Sequence, residues 1–323
     1  MMGGMPAPEP MPEGAPLPTG PTGVAWRRIG RGDVDSVQEI ASAIARVEEP
    51  GRPGGRVDLD QQLADVHPAR TVLAERGGVP TAYGLVFVPG SGSAVRLPGG
   101  VRPDARGAGI GRRLLDWQIA AARAVRAEPT VPISARQPVA AEATARLLAR
   151  AGFLAERTFL TLRRPGSPVR PSPLPAGLRA VRFGSEYDEP LRLAKNRAFH
   201  GHWGSRPEGA DAWARHQLGP WLQRDLSRLA LTDDGDIAGF VVGWDEGAAA
   251  DELYIALVGT DPDWRGRGVA RALLADVLGA STAAGRPVAV LHVDGESPTS
   301  ADRLYASVGF GRVSAALVHR LAP

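Results

Sequence analysis

The chain has 323 residues, 43% of them hydrophobic, a formal net charge of +3 and no cysteine. At roughly 150 residues per domain the length suggests two domains, and the missing cysteines exclude disulfides, thiolate metal sites and a cysteine nucleophile. No apolar run approaches the ~20 residues that span a bilayer, no signal-peptide pattern opens the chain, and no basic run with interleaved aromatics suggests nucleic acid, so a cytoplasmic protein with no membrane or nucleic-acid partner is expected.

Residues 1–23 are rich in Pro, Gly and Met without periodicity, the composition of a disordered leader. Ala25 to Ile29 reads as a first strand. Asp33 is placed to cap a helix from Val34, in which Val37, Ile40, Ala41 and Ile44 share one face. Pro50 to Gly55 interrupts the chain, and Asp60 to Val66 reads as a short helix. Thr71 to Glu75 and Thr81 to Val88 flank Gly77-Gly78 as a hairpin. A loop at Pro89 to Ser93 leads to a short strand, Ala94 to Leu97. A glycine-bearing turn then opens a helix over Ile110 to Arg126. Strand Val131 to Ala135, helix Ala140 to Ala151 closed by Gly152, and a closing strand Phe159 to Arg163 complete a first unit. Five prolines between Arg164 and Gly177 mark a semi-rigid extended linker. The boundaries predicted are 24–163, a linker at 164–177, and 178–323.

The order then repeats. Leu178 to Phe183, the helices Glu189 to Phe199 and Asp211 to Trp221, the hairpin Arg228 to Thr232 with Ile237 to Trp244, and the strand Glu252 to Val258 follow in turn. A second glycine turn and its helix, strand Val288 to Val293, helix Ala301 to Val308 and strand Ala315 to Leu321 end the chain. The repeat is an α/β unit built twice, each a mixed, mostly antiparallel sheet flanked by helices.

The two turns carry the chemistry. Thr260 to Leu274 reads T-D-P-D-W-R-G-R-G-V-A-R-A-L-L, and Val101 to Leu115 reads V-R-P-D-A-R-G-A-G-I-G-R-R-L-L. Each follows a strand and opens a helix. The first amides of a helix lack internal partners and carry partial positive charge, so such a turn suits an anion such as a pyrophosphate.

An R-x-x-G-x-G/A turn after a strand, present twice, resembles the acetyl-CoA loop of the GNAT N-acetyltransferase superfamily. L-L-A-R-A-G-F at Leu147 to Phe153 and L-Y-A-S-V-G-F at Leu304 to Phe310 extend the resemblance through both halves. It is greatest to the actinobacterial two-domain group of that superfamily that includes mycothiol synthase. The resemblance implies direct transfer of acetyl from acetyl-CoA to the primary amine of a small molecule, without metal or covalent enzyme intermediate. It implies cofactor contacts by Val258, Gly259, Thr260, Arg265, Gly266, Arg267, Gly268, Val269, Ala270, Arg271 and Ser297. In the first half the matching positions are Val101, Arg106, Gly107, Ala108, Gly109, Ile110 and Gly111.

The resemblance also distributes roles. Tyr305 stands where a tyrosine protonates the departing thiolate; its counterpart Leu148 cannot. The base that deprotonates the amine is expected on the fourth strand of the second half. Glu252 at its start, Tyr254 at the family's carboxylate position, and a bound water remain open. Strand alternation puts Glu252, Tyr254, Ala256 and Val258 on one face. Val258 is the candidate backbone donor to the thioester carbonyl. In the first half Pro98 has no N–H to give and Val95 stands at the base position, so that half is expected to be degenerate. His292 and Asp294, and the loop His200 to Gly204, are candidates for the acceptor side. Two histidines two apart have no evident third metal ligand. The alternatives are a non-catalytic acyl-CoA-binding sensor or scaffold, and a protein acetyltransferase. A monomer and a homodimer are both compatible with the sequence.

Overall fold

A computed structural model describes residues 15–49, 63, 66–89, 94–247, 249–296 and 301–322. The first half runs β1 (Val24–Arg27), α1 (Val34–Glu48), β2 (Thr71–Arg76), β3 (Val79–Leu85), β4 (Val95–Arg96), β5 (Gly99–Val101), α2 (Ile110–Val125), β6 (Ile133–Pro138), α3 (Glu142–Arg150) and β7 (Phe153–Arg164). The second runs β8 (Leu178–Arg182), α4 (Asp188–Ala198), α5 (Ala210–Gln217), β9 (Arg228–Thr232), β10 (Ile237–Trp244), β11 (Glu252–Thr260), α6 (Val269–Ala283), β12 (Val288–Asp294), α7 (Ala301–Ser307) and β13 (Gly311–Leu321). The expected alternation of strands and helices is therefore present twice. The helix and break expected over 50–66 and the loop at 90–93 fall almost entirely outside the described residues.

The strands form a four-stranded sheet, β1-β2-β3-β5, and a nine-stranded sheet, β4-β6-β13-β7-β12-β11-β10-β9-β8. Only β11–β12 and β4–β6 pair in parallel among the described ladders; the rest are antiparallel. The longer sheet crosses between the halves. β7, expected as a closing strand of the first half over 159–163, is longer and lies between two strands of the second. It pairs with β12 from Ala289↔Arg164 to Asp294↔Phe159, and with β13 along its length. β13 in turn pairs with β6 from Ala316↔Pro138 to Arg320↔Ser134. Each half thus sets its last strand beside the fifth-strand position of the other.

Helices cover both faces of each half. Leu114 and Trp117 of α2 pack with Val72 and Ala74, while Val37 and Ile40 of α1 pack with Leu73 and Leu85 on the opposite face. In the second half Val269, Leu273 and Val277 of α6 and Tyr305 of α7 share a core with Val241, Leu253 and Ile255. Leu191 and Ala194 of α4 and Trp213 of α5 share the other with Phe240 and Val242. Burying each such large side chain contributes ~1.5–3 kcal/mol, and the helical periodicity that predicted these faces follows from that gain.

Two local expectations are corrected. Asp33 precedes α1 but makes no side-chain cap bond to it; its carboxylate takes both Nη of Arg27 at 2.6 Å and the Gly30 amide at 2.7 Å. Residues 15–23, assigned to the leader, lie against the first half. There the Ala15 carbonyl accepts from Arg28 at 2.6 Å and the Gly20 carbonyl accepts from the Trp26 indole at 2.6 Å. Backbone carbonyls dock without any periodic pattern, so composition gave no sign of it. The proline-rich segment is likewise docked: Val169 and Leu174 pack against the second core, and buried Arg164 donates to the Val308 carbonyl at 2.9 Å.

Candidate active site

Gly266 and Gly268 have φ of 72° and 86°, and α6 starts on the latter. A side chain in that left-handed region costs roughly 1–2 kcal/mol. A Cβ built at either glycine meets nothing within 4 Å. Backbone conformation alone therefore demands glycine here, and the space above the helix amides stays open. Arg265 braces the turn, donating from Nη2 to the Ala198 carbonyl at the end of α4 at 2.8 Å. Arg267 lies over the Trp264 ring at 5.0 Å.

The first-half turn repeats the backbone, with φ of 82° at Gly107 and 80° at Gly109 and equally open space. Its arginine has a different partner. Arg106 Nη2 lies 2.8 Å from the Glu48 carboxylate, buried at the end of α1. Burial pushes that carboxyl up, and the Arg106 charge opposes the shift. A carboxylate thus stands where the second half has a neutral carbonyl.

Behind each turn a parallel pair of strands parts. β11 and β12 pair only over Glu252↔Val288, Leu253↔Ala289 and Tyr254↔Val290. Beyond that, β11 pairs with β10 and β12 with β7, so the two strands part at Tyr254. In the first half the corresponding strands part as well: β4 and β6 pair at Val95↔Ile133 and Arg96↔Ser134, and β5 then joins β3 in the other sheet. Leu97 donates to Ser134 at 3.0 Å, and the Pro98 carbonyl accepts from Leu85 N and Gln118 Nε2, each at 2.8 Å. Gly100 abuts Ile44, whose Cδ1 lies 2.6 Å from where a Cβ would stand.

The β10–β11 register shifts between Val242 and Gly243, which skips Ala256. This bulge corrects the expected alternation. Leu257 follows Tyr254 onto the α4–α5 face, whereas Val258 joins Ile255 in the core under α6. Val95 is corrected too: it is buried in the core under α2, so its side matches Ile255 and not Tyr254.

The α4–α5 face at the parting holds the acceptor-side candidates. Tyr254 Oη lies 3.0 Å from His292 Nδ1, and Trp244 flanks the Tyr254 ring at 6.3 Å. Glu252 faces Arg163 of β7, with Nε–Oε2 at 3.6 Å. Asp294 is gripped by Arg157 of β7, whose Nε reaches both carboxylate oxygens at 3.0 Å and whose Nη2 reaches one at 2.7 Å. The guanidinium also lies 5.4 Å from the Trp203 ring, and Phe159 meets that ring at 5.9 Å. His202 stacks near Phe199 at 5.2 Å. Burial, reinforced by Arg265, pushes its imidazole down, with Asp294 opposing.

Tyr305 sits on the opposite, α6–α7 side of the parting, buried against Phe310 at a centroid distance of 5.9 Å. Burial, aided by the charge of Asp302, pushes its phenol up to about 12. It therefore keeps its proton at neutral pH. Leu148 occupies the matching place in the first half and is buried in an apolar core.

Comparison with known proteins fits this arrangement. Residues 191–310 match the Acetyltransferase (GNAT) family. A protein of Salinispora tropica named mycothiol acetyltransferase is 33% identical over 91% of this chain and 97% of its own. One of the same name from Thermobispora bispora is 34% identical over 90% and 96%. The chain belongs to the GNAT acetyltransferase family. Its fold is shared with a GCN5-related N-acetyltransferase from Sphaerobacter thermophilus at a TM-score of 0.78 and 24% identity, covering 94% of this chain and 98% of that one. A tandem GNAT protein from the clavulanic acid biosynthesis pathway gives 0.70 at 17% identity, covering 93% and 99%.

For this GNAT enzyme the structure gathers Tyr254, His292, Glu252, Asp294, His202 and Trp203 at the mouth of the parting. Arg265 to Arg271 lie at its glycine turn, and Tyr305 packs in the core under α6. Ser297 lies outside the described residues. Sequence reasoning missed Arg157, Phe159 and Arg163, because β7 read as part of the first half. Among the described residues, no three His, Asp or Glu side chains come together to hold a metal, and no helix is long and apolar enough to cross a membrane. A concavity of about 880 Å³ lined by Leu193, Arg197, His200, Ile237, Asp261 and Trp264 flanks the turn but includes neither Tyr254, His292 nor Tyr305.

Proposed function

We propose that this enzyme transfers the acetyl group of acetyl-CoA to the primary amine of a small molecule, and that the second half performs the chemistry. The observation that carries the reading is that the second half sets a buried tyrosine, Tyr305, beside its open glycine turn and parted strands, where the first half has Leu148. The open space over Gly266 and Gly268 fits a pyrophosphate held by the first amides of α6, with Arg265, Arg267 and Arg271 around it. When bound, acetyl-CoA supplies an acetyl group activated as a thioester. Val258 N–H, on the strand that parts, is the candidate donor to its carbonyl. Tyr305 Oη holds the proton that the leaving sulfur requires. Glu252 and Tyr254 are the groups on β11 placed to help deprotonate the amine. The name of the relatives puts an acceptor of the mycothiol type first among the small molecules to test.

The first half has the turn and the parting without the tyrosine: a carboxylate stands beside Arg106, Ile44 abuts Gly100, and Leu148 stands for tyrosine. Native mass spectrometry with acetyl-CoA tests the division, comparing wild type with Gly268→Glu and Gly109→Glu. Both glycines have nearly the same φ, 86° and 80°, so backbone strain is matched and each variant controls for the other. One molecule bound, lost only in Gly268→Glu, is expected. Two bound gives the first half a cofactor site, and none bound refutes the reading.

A further inference from the structure

We infer that Tyr254 and His292 together accept the proton that the acceptor amine must lose, an inference that rests on the acetyltransferase reading above. An ammonium group has no lone pair for attack, so a base must take one proton first. Three features of the fold place this pair at that task.

First, position. Tyr254 is the last residue of the β11–β12 ladder, so its ring stands where the strands part. His292 lies two residues past Val290, beyond that ladder. It pairs with Thr161 of β7 on the face opposite the core side chains Ala289, Leu291 and Val293. The loop carrying His202 and Trp203 closes over the same face through Phe159 and Arg157.

Second, connection. The 3.0 Å contact joins the tyrosine hydroxyl to an imidazole nitrogen, with the rings 5.5 Å apart. A phenol alone, with an ordinary pKa near 10, is a poor proton acceptor at neutral pH. A phenol that passes its own proton to an imidazole, with an ordinary pKa near 6.5, is well matched to that pH. The step balances as two linked transfers. The ammonium N–H proton moves to Tyr254 Oη, and the hydroxyl proton moves to His292 Nδ1. The products are a neutral amine, an intact tyrosine and an imidazolium.

Third, the rival carboxylate already faces a cation. Glu252 lies two residues earlier, where β11 and β12 are still paired, and faces Arg163. Among the described residues, the charged and titratable groups about His292 include Arg157 and Arg163 from β7, Glu252 from β11, Asp294 from β12, Glu296 beyond it and paired with Arg157, and His202 from the loop. Asp294 is already paired with Arg157. β10 contributes Trp244 and β13 contributes Ser314 beside Thr161, neither of which titrates.

The test uses the full chain and two readouts. In protein labelled with ¹⁵N-histidine, the His292 resonances are assigned with His292→Gln. Near pH 7.5 and without ligand, Nδ1 is expected to be unprotonated, with a shift that moves in Tyr254→Phe. An Nδ1–H tautomer overturns the proposal. Separately, kcat/KM is measured against pH with acetyl-CoA and a panel of amines, beginning with a mycothiol-type acceptor. The wild-type rate is expected to fall on the acid side as His292 protonates. His292→Gln and Tyr254→Phe are each expected to lose on the order of 10²–10⁴ in kcat, with acetyl-CoA binding by native mass spectrometry retained. The His292→Gln variant should lose that acid limb, and the double variant should be no slower than the slower single. An unmoved acid limb, or losses that multiply, overturns the pair while leaving acetyl transfer intact. No turnover by the wild type across the panel overturns the acetyltransferase reading itself.

Discussion

Replacing Arg157 by alanine tests whether the first half builds the acceptor wall of the second. The guanidinium makes three contacts of 2.7–3.0 Å with Asp294, and the two side chains keep only 19% and 17% of their exposure. A net hydrogen bond to a charged group is worth about 1.5–3 kcal/mol, whereas an exposed ion pair is worth about 0–1 kcal/mol. Partial burial places the coupling between Arg157 and Asp294 at about 1–2 kcal/mol. Loss of the guanidinium over Trp203 adds about 0.5–1 kcal/mol, so Arg157→Ala should cost about 1.5–3 kcal/mol. Urea unfolding of wild type, Arg157→Ala, Asp294→Asn and the double variant gives the coupling as a double-mutant cycle. Because the strands interleave, circular dichroism and tryptophan fluorescence should report one coincident transition. A coupling below about 0.5 kcal/mol would show that β7 merely lies beside β12 and does not grip its end.

Tyr305→Phe should lower kcat by about 10²–10⁴ while acetyl-CoA still binds. It should also alter the alkaline limb of stability. The buried phenol, pushed up to about 12, holds its proton where the unfolded chain, near 10, has lost it. Stability is therefore fully present below pH 10 and falls as pH rises towards 12, by about 1.4 kcal/mol per unit at most. The difference in urea midpoint between wild type and Tyr305→Phe across that window measures it; a constant difference refutes it. His319 works at the other end. Burial pushes its imidazole down, so its contribution is present above pH 6.5 and is lost as pH falls below it, when the unfolded chain protonates first. His319→Gln should flatten stability over that acid window, and an unchanged slope would show that His319 does not couple to folding.

What the sequence revealed was what is local. The glycines of both turns were legible because a strand-turn-helix pattern needs their left-handed backbone, and Gly107, Gly109, Gly266 and Gly268 all adopt it. Tyr305 and Leu148 were distinguishable because each stands at a fixed distance before a glycine. The Ala256 bulge was not legible: Leu253 to Val258 reads as one apolar-rich strand, and only pairing with β10 shows the skipped residue. Nor was the grip of Arg157 on Asp294, 137 residues apart. Arg157, Thr161 and Arg163 alternate on β7 as a half-exposed strand would. Their partners become visible only when that strand is set beside β12.

The crossing of β7 and β13 carries a consequence for how such a chain can diverge. Two identical subunits that lent each other a strand would be bound by two-fold symmetry, and every substitution would appear in both active sites. Carrying both copies on one polypeptide lifts that constraint. The two copies do differ here: Leu148 stands in the first where the second has Tyr305, and Glu48 lies beside Arg106 where the second sets a carbonyl beside Arg265. The strand the first copy lends lies between β12 and β13 of the second, and Arg157, Phe159 and Arg163 travel on it to Asp294, Trp203 and Glu252. The nine-stranded sheet is therefore continuous only through the twelve-residue last strand of the first copy.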